Sequence, residues 1–92
     1  MLHKIKARHN QSIGLHLTPD ERGALLNMLW LDDDLEETIR QTPTAKQNVT
    51  LTHDELALLA DNVAAEANHT KDARLRKTLD RIIERIERLT TI

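Results

Sequence analysis

The chain has 92 residues and a formal net charge of −2, so it has room for one domain, and its charge gives no overall attraction to nucleic acid or anionic membranes. It contains fifteen Leu, seven Ile and nine Ala but a single aromatic residue, Trp30, a composition typical of helix-on-helix packing rather than of a β-sandwich. Because cysteine is absent, disulfides, thiolate metal sites and cysteine nucleophiles are excluded.

The sequence has no targeting or membrane-spanning pattern. No apolar run approaches the roughly 18 residues that a membrane-spanning helix needs. Met1 is also not followed by the basic and apolar regions of a signal peptide. We therefore expect a cytoplasmic protein that does not bind a membrane.

The N-terminal segment is the least helical part of the sequence. Residues 13–17 alternate apolar with small or polar side chains, which is the pattern of a half-buried strand. Two interpretations of the preceding residues stay open. Residues 2–8 are the antiparallel partner in a hairpin, or residues 1–12 are a flexible arm made basic by Lys4, Lys6 and Arg8.

The first helix has a strong start signal. Thr18 at the N-cap, Pro19 at the first helical position and Glu21 three residues after Thr18 form a capping box. The apolar residues in 24–30 would cover more than half of the helix circumference, so we expect a helix that is deeply buried or partly covered by a partner chain. Gly23 weakens this helix but lets another backbone come close.

A run of acids marks the second helix. Five of the six residues in Asp32–Glu37 are acidic, and they crowd the first turns of a short helix ending near Gln41, where the helix dipole favours negative charge. The run lacks the spacing of a calcium loop, so we interpret it as helix-stabilising. Thr42 and Pro43 end the helix, and residues 42–48 form a polar loop.

A second capping box follows this loop. Residues 51–55 match residues 17–21 in four of five positions, and each segment follows a short alternating apolar stretch. Duplication and chance both explain the match, and we favour chance because five residues are too few to establish a repeat. On either interpretation, residues 49–51 are a candidate partner for the strand at residues 13–17.

The third helix is expected from about His53 to Asn68, with alanines that let neighbouring helices approach closely. Near its end, Glu66 and His69 have the Glu-x-x-His spacing of helical di-iron sites. Such sites need a second pair and further inward glutamates, so we interpret the two residues as structural, with His69 stabilising the helix C-terminus. Thr70 is the expected cap of the last helix.

Residues 71–90 form a C-terminal amphipathic helix, against which the rest of the chain is expected to pack. Its apolar face recurs at spacings of three and four residues. The members of that face are Leu75, Leu79, Ile82, Ile83, Ile86 and Leu89. Five cations share another side of the helix, with four acids on the flank between them and the apolar face. These cations, the basic stripe, are Arg74, Lys77, Arg81, Arg85 and Arg88.

No catalytic, cofactor-binding or metal-binding motif is recognisable in the sequence. One Ser and two Gly leave little material for a serine elbow or a phosphate-binding loop, and the five His do not have zinc-site spacing. A chain of this size also rarely encloses a catalytic pocket alone. We therefore expect a protein that is not an enzyme and needs no cofactor.

We expect a single mainly-α domain spanning residues 1–92, built as a compact bundle of three to four helices with a short two-stranded β element. Two classes of function stay open for such a domain. We favour a protein–protein interaction module, most simply a homodimer. Its candidate contact residues are the basic stripe and Leu25, Leu29, Trp30, Leu79, Ile82 and Ile86. Acidic and basic flanks of two parallel C-terminal helices would pair, or the basic stripe would dock the Asp32–Glu37 run, within one chain or across two.

The alternative is a small nucleic-acid-binding regulator. It would use the basic N-terminal residues and the basic stripe, whose cations meet phosphates along a groove. Four acids on the same helix and the lack of any aromatic residue on it for base stacking count against it.

Overall fold

The computed structural model describes residues 12–90 and has the predicted mainly-α architecture. In chain order, its elements are β1 (Ser12–His16), α1 (Pro19–Leu26), α2 (Asp33–Gln41), β2 (Asn48–Thr52), α3 (His53–His69) and α4 (Ala73–Thr90). The four helices and the two-stranded element in residues 12–90 confirm the predicted fold class. Both interpretations of residues 1–12, the hairpin and the flexible arm, concern residues that lie almost wholly outside the described part of the chain.

The two strands predicted around residues 13–17 and 49–51 do pair, and their pairing is antiparallel. Leu15 lies opposite Val49 in the register, and both side chains are buried against the helices. The pairing continues past the end of β1, where the Leu17 N–H donates to the main-chain oxygen of Gln47 at 2.7 Å. The sheet therefore has one apolar face in the core and one polar face in solvent.

Both capping boxes form as predicted. At α1, the Thr18 Oγ1 accepts the Glu21 N–H at 3.2 Å and the Glu21 Oε1 accepts the Thr18 N–H at 2.9 Å. At α3, Thr52 and Glu55 make the same two bonds at 3.1 and 2.8 Å. Each box satisfies two main-chain donors that the first helical turn leaves unpaired.

The first helix is shorter than predicted. It ends at Leu26, so the prediction of one helical face that includes residues 24–30 was wrong. The cause lies downstream: Asp32 is the N-cap of α2 and has extended backbone angles, which a continuous helix cannot supply. The intervening link turns Met28 and Leu31 into the core and leaves Leu29 and Trp30 outside.

The last helix begins two residues later than predicted. Its first main-chain donors, the N–H groups of Arg74 and Leu75, are accepted by the Asp72 carboxylate at 2.9 and 3.3 Å. Thr70, the predicted cap, instead accepts the Asp72 N–H at 3.2 Å. Asp and Thr are both favourable N-caps, so the local sequence does not decide between them.

The core is aliphatic and is centred on α3 and α4. These two helices are joined by a three-residue link and pack along their length, so they run antiparallel. Their buried residues meet those of α1, α2 and both strands. The fully buried side chains include Leu25, Leu35, Ile39, Leu56, Leu59, Val63, Leu79, Ile82 and Ile86.

Two neighbouring isoleucines of α4 test this core. Ile82 is fully buried, whereas Ile83 is only partly buried at its edge. Ile82→Ala is expected to lower the free energy of unfolding by about 2–5 kcal/mol because it leaves a cavity. Urea denaturation should show a clearly smaller loss for the control, Ile83→Ala, and equal losses would contradict this assignment of the core face.

Candidate functional site

Arg85, a member of the basic stripe, forms an ion pair with a buried carboxylate. Its guanidinium donates to Glu21 Oε1 at 2.6 Å and to Glu21 Oε2 at 3.0 Å, which is the bidentate geometry of a strong ion pair. Glu21 is 3% exposed and also belongs to the capping box of α1. Arg85 therefore fixes α4 to the start of α1, and its side chain is only 28% exposed.

The same guanidinium covers an open edge of the sheet. Because the Leu17 N–H points towards β2, the main-chain groups of the preceding residue, His16, point away from β2. A strand edge of this kind leaves a carbonyl without a partner. Arg85 donates to the main-chain oxygen of His16 at 2.8 Å, so one side chain contacts both α1 and β1.

Opposing influences set the pKa of Glu21. Burial raises the pKa, but the hydrogen bonds from Arg85 and Thr18 and the positive charge of Arg85 outweigh it and bring the pKa below its ordinary value of 4.5. The hydrogen bond to Glu21 in turn raises the pKa of Arg85, against the opposing effect of burial. Both groups therefore stay ionised at neutral pH.

The rest of the basic stripe lies at the surface. Its members Arg74, Lys77, Arg81 and Arg88 are exposed. Arg81 donates to Thr78 Oγ1 at 3.3 Å, and Arg88 lies 3.9 Å from Glu84. Contacts of this kind between exposed side chains of one helix contribute little to stability.

Within one chain, the described residues do not show the basic stripe docked on the acidic run; docking across two chains stays a prediction. Glu36 pairs instead with Arg40, one turn further along α2, at 2.9 Å. The stripe member that finds a buried acid, Arg85, takes Glu21 from α1. The capping carboxylate is the closer partner because α1 packs directly against α4.

The structure divides the predicted apolar contact residues into two groups. Leu25, Leu79, Ile82 and Ile86 are at most 1% exposed. They form the core of the chain itself, which corrects their assignment to a contact surface. Apolar spacing identifies a face that must be covered, but it does not tell whether the same chain or a second one covers it.

The second group remains at the surface. Leu29 is 82% exposed and Trp30 is 61% exposed. Leu58 on α3 is 40% exposed and lies one turn before Asn62, whose Oδ1 accepts the Asp32 N–H at 2.7 Å. That bond joins the link from α1 to α2, which carries Leu29 and Trp30, to α3, which carries Leu58. We call Leu29, Trp30 and Leu58 the apolar patch.

Glu66 and His69 do not acquire further metal ligands. Within residues 12–90, no group of three or more His, Asp or Glu side chains is placed to hold a metal ion. The Glu66 Oε1 is buried without a hydrogen-bond partner. In the same part of the chain, no helix is long and apolar enough to cross a membrane.

Sequence reasoning found the capping box and the basic stripe separately but missed the bond between them. The residues that form it are 64 positions apart, so no local pattern connects them. One signal was present: at 100° per residue, Arg85 is the stripe member nearest to the apolar face, next to Ile82 and Leu89. A cation at the edge of a buried face needs a partner.

Comparisons with known proteins give no relative from which a function can be transferred. No protein-family model, curated protein or solved structure matches the chain. The candidate function therefore depends on the geometry described above.

The ion pair predicts a pH-dependent contribution to stability. Because the pKa of Glu21 is lowered in the folded state, its contribution is complete above the unfolded pKa and is lost as the pH falls through the folded pKa. The difference in free energy of unfolding between the wild type and Glu21→Gln should therefore shrink as the pH falls below about 4.5.

Urea denaturation of both proteins over a series of pH values measures this difference. Glu55→Gln is the matched control for the loss of a capping carboxylate, because Glu55 occupies the same place in the second capping box and has no arginine partner in the described structure. A difference for Glu21→Gln that stays constant from neutral to acidic pH would be incompatible with the pKa assigned to Glu21.

Proposed function

We propose that this protein is a non-enzymatic interaction module that associates with a second copy of itself through the apolar patch. The observation that supports this most is the position of Trp30, the single aromatic residue of the chain, which is 61% exposed. Tryptophan is among the residue types most enriched in the energetic centres of interfaces. Its neighbour Leu29 is 82% exposed, so the two side chains offer adjacent apolar surface to a partner.

The link that carries Leu29 and Trp30 is fixed at both ends. Met28 and Leu31 are buried on either side of them, and the Asp32 N–H is bound to Asn62. The two exposed side chains therefore project from an anchored backbone rather than from an unattached loop. Surface that is already ordered loses less conformational entropy when a partner binds.

Sedimentation equilibrium at low micromolar concentration and at two salt concentrations tests this proposal. The wild type is expected to be a dimer that changes little with salt, because its contact is mainly apolar. Trp30→Ala should weaken association by roughly tenfold or more, as truncation of an interface centre does.

Lys77→Ala is the control, because Lys77 is exposed on α4 and lies outside the apolar patch. It should leave the dimer intact. A wild type that is monomeric over the whole concentration range would refute the proposal.

A nucleic-acid-binding regulator is the second candidate, supported by the four exposed cations of the basic stripe. Double charge reversal at Lys77 and Arg81 tests it without disturbing Arg85. Binding to duplex or single-stranded nucleic acid that falls steeply with salt and is lost in this variant would favour the regulator. For either function, the cytoplasm remains the location expected from the sequence.

A further inference from the structure

A groove beside α1 has an apolar lining and contains no side chain from the described residues. Its volume is about 300 Å³, and its apolar lining comes from Leu17, Pro19, Gly23 and Leu26. The cations Arg22 and Lys46 also line it. This volume is at the small end of ligand pockets, and it suits one large side chain better than a whole helix.

The groove has free space next to Gly23 that no other described residue fills. A Cβ at Gly23 would meet no atom within 4 Å, so packing inside the described chain does not require a glycine. Its φ is not positive, so its backbone does not require one either. Glycine inside a helix costs about 1 kcal/mol relative to alanine. An incoming group that uses the space above Gly23 gives this costly residue a role.

We propose that the groove receives Trp30 from a second copy of the chain, and that the second copy receives Trp30 from the first. This inference rests on the self-association proposed above and names its contact. Gly23 lies inside α1, whereas Trp30 lies four residues past its end at Leu26. The proposed arrangement places two α1 helices side by side and antiparallel, with Trp30 and the groove of each chain both facing its partner, so that the same contact occurs twice, as a two-fold interface requires.

The chemistry of the groove suits an indole ring. The Arg22 guanidinium donates to the main-chain oxygens of Thr42 and Arg40 at 2.7 and 3.4 Å, so its position is set before any partner arrives. A fixed guanidinium beside an aromatic ring gives a favourable cation–π contact.

The indole N–H also finds acceptors in the groove. In the described chain, the indole N–H of Trp30 donates no hydrogen bond. Thr44 and Gln47 line the groove and offer side-chain oxygens. A buried indole N–H normally needs such an acceptor.

Charge is complementary on the two sides of this contact. Trp30 is followed by the acidic start of α2, where Asp33 and Asp34 are exposed. Asp33 and Asp34 follow Trp30 by three and four residues, so in the proposed contact they would approach the partner's Arg22 and the partner's Lys46. Exposed pairs of this kind add little affinity, but they favour this orientation of the two chains over others.

Intrinsic fluorescence tests directly whether Trp30 occupies the partner's groove, which we call its seat. Trp30 is the only aromatic residue, so every emission change reports on it. At concentrations where the wild type is dimeric, its emission should be shifted to the blue, and it should move to the red on dilution. Gly23→Met fills the groove without touching Trp30. It should weaken dimerisation by about tenfold or more and leave the emission red-shifted at the same concentration.

Asp20→Met is the matched control, since Asp20 is exposed on α1 and is not part of the groove lining. It should dimerise like the wild type. Circular dichroism should confirm that both variants are folded, because methionine has a higher intrinsic helix propensity than glycine or aspartate.

The outcomes distinguish failure of the groove contact from failure of self-association itself. If Gly23→Met keeps the dimer and the blue shift while Trp30→Ala loses the dimer, the groove is not the seat and the proposed function stands. If the wild type is monomeric throughout, self-association fails and the reciprocal seat fails with it. Loss of the dimer and of the blue shift in Gly23→Met but not in Asp20→Met supports the groove as the binding site of Trp30.

Discussion

The bidentate ion pair between Arg85 and Glu21 is the polar contact on which the arrangement of the N-terminal elements depends. Glu21 is buried, caps α1 through Thr18 and accepts both bonds from Arg85, which also satisfies the His16 carbonyl on the edge of β1. One carboxylate and one guanidinium thus connect β1, α1 and α4. Removing either partner would leave the other partly buried and unpaired, which costs more than an exposed pair contributes.

This contact also changes what α4 can do. A helix with five aligned cations is a candidate surface for phosphates, but the member nearest the apolar face is committed to the fold. In the self-association proposed above, the surface for recognition is instead the link between α1 and α2. There the burial of Met28 and Leu31 and the bond from Asp32 to Asn62 leave Leu29 and Trp30 outside.

The groove and the exposed indole give α1 and the segment past its end different roles. Within the helix, Gly23 leaves space beside the fixed guanidinium of Arg22. Past its end, the chain exposes the one aromatic side chain it has. A chain of 92 residues needs most of its apolar side chains for its own core, so the exposure of its single tryptophan is unusual.

Local signals in the sequence predict much of this fold. Three helix starts are marked by capping residues, namely Thr18 with Glu21, Thr52 with Glu55, and Asp32. The alternation around Leu15 and Val49 predicts the two strands.

What the sequence does not reveal depends on long-range contacts. The end of α1 at Leu26 is set by the competition between continuing the helix and capping the next one at Asp32. The partner of Arg85 lies 64 positions away. Burial of Ile82 and exposure of Trp30 follow from packing, because an apolar pattern alone does not say which chain covers it.

The most direct test of this account is a double-mutant cycle on the free energy of unfolding with Glu21→Gln, Arg85→Gln and the double variant, measured at neutral pH. If the ion pair holds α4 to α1, the two single substitutions should together lower the free energy of unfolding, as a sum, by about 1 kcal/mol or more beyond the loss in the double variant. Additive effects, within about 0.5 kcal/mol, would show that the two side chains contribute independently and would contradict the central role given to their contact.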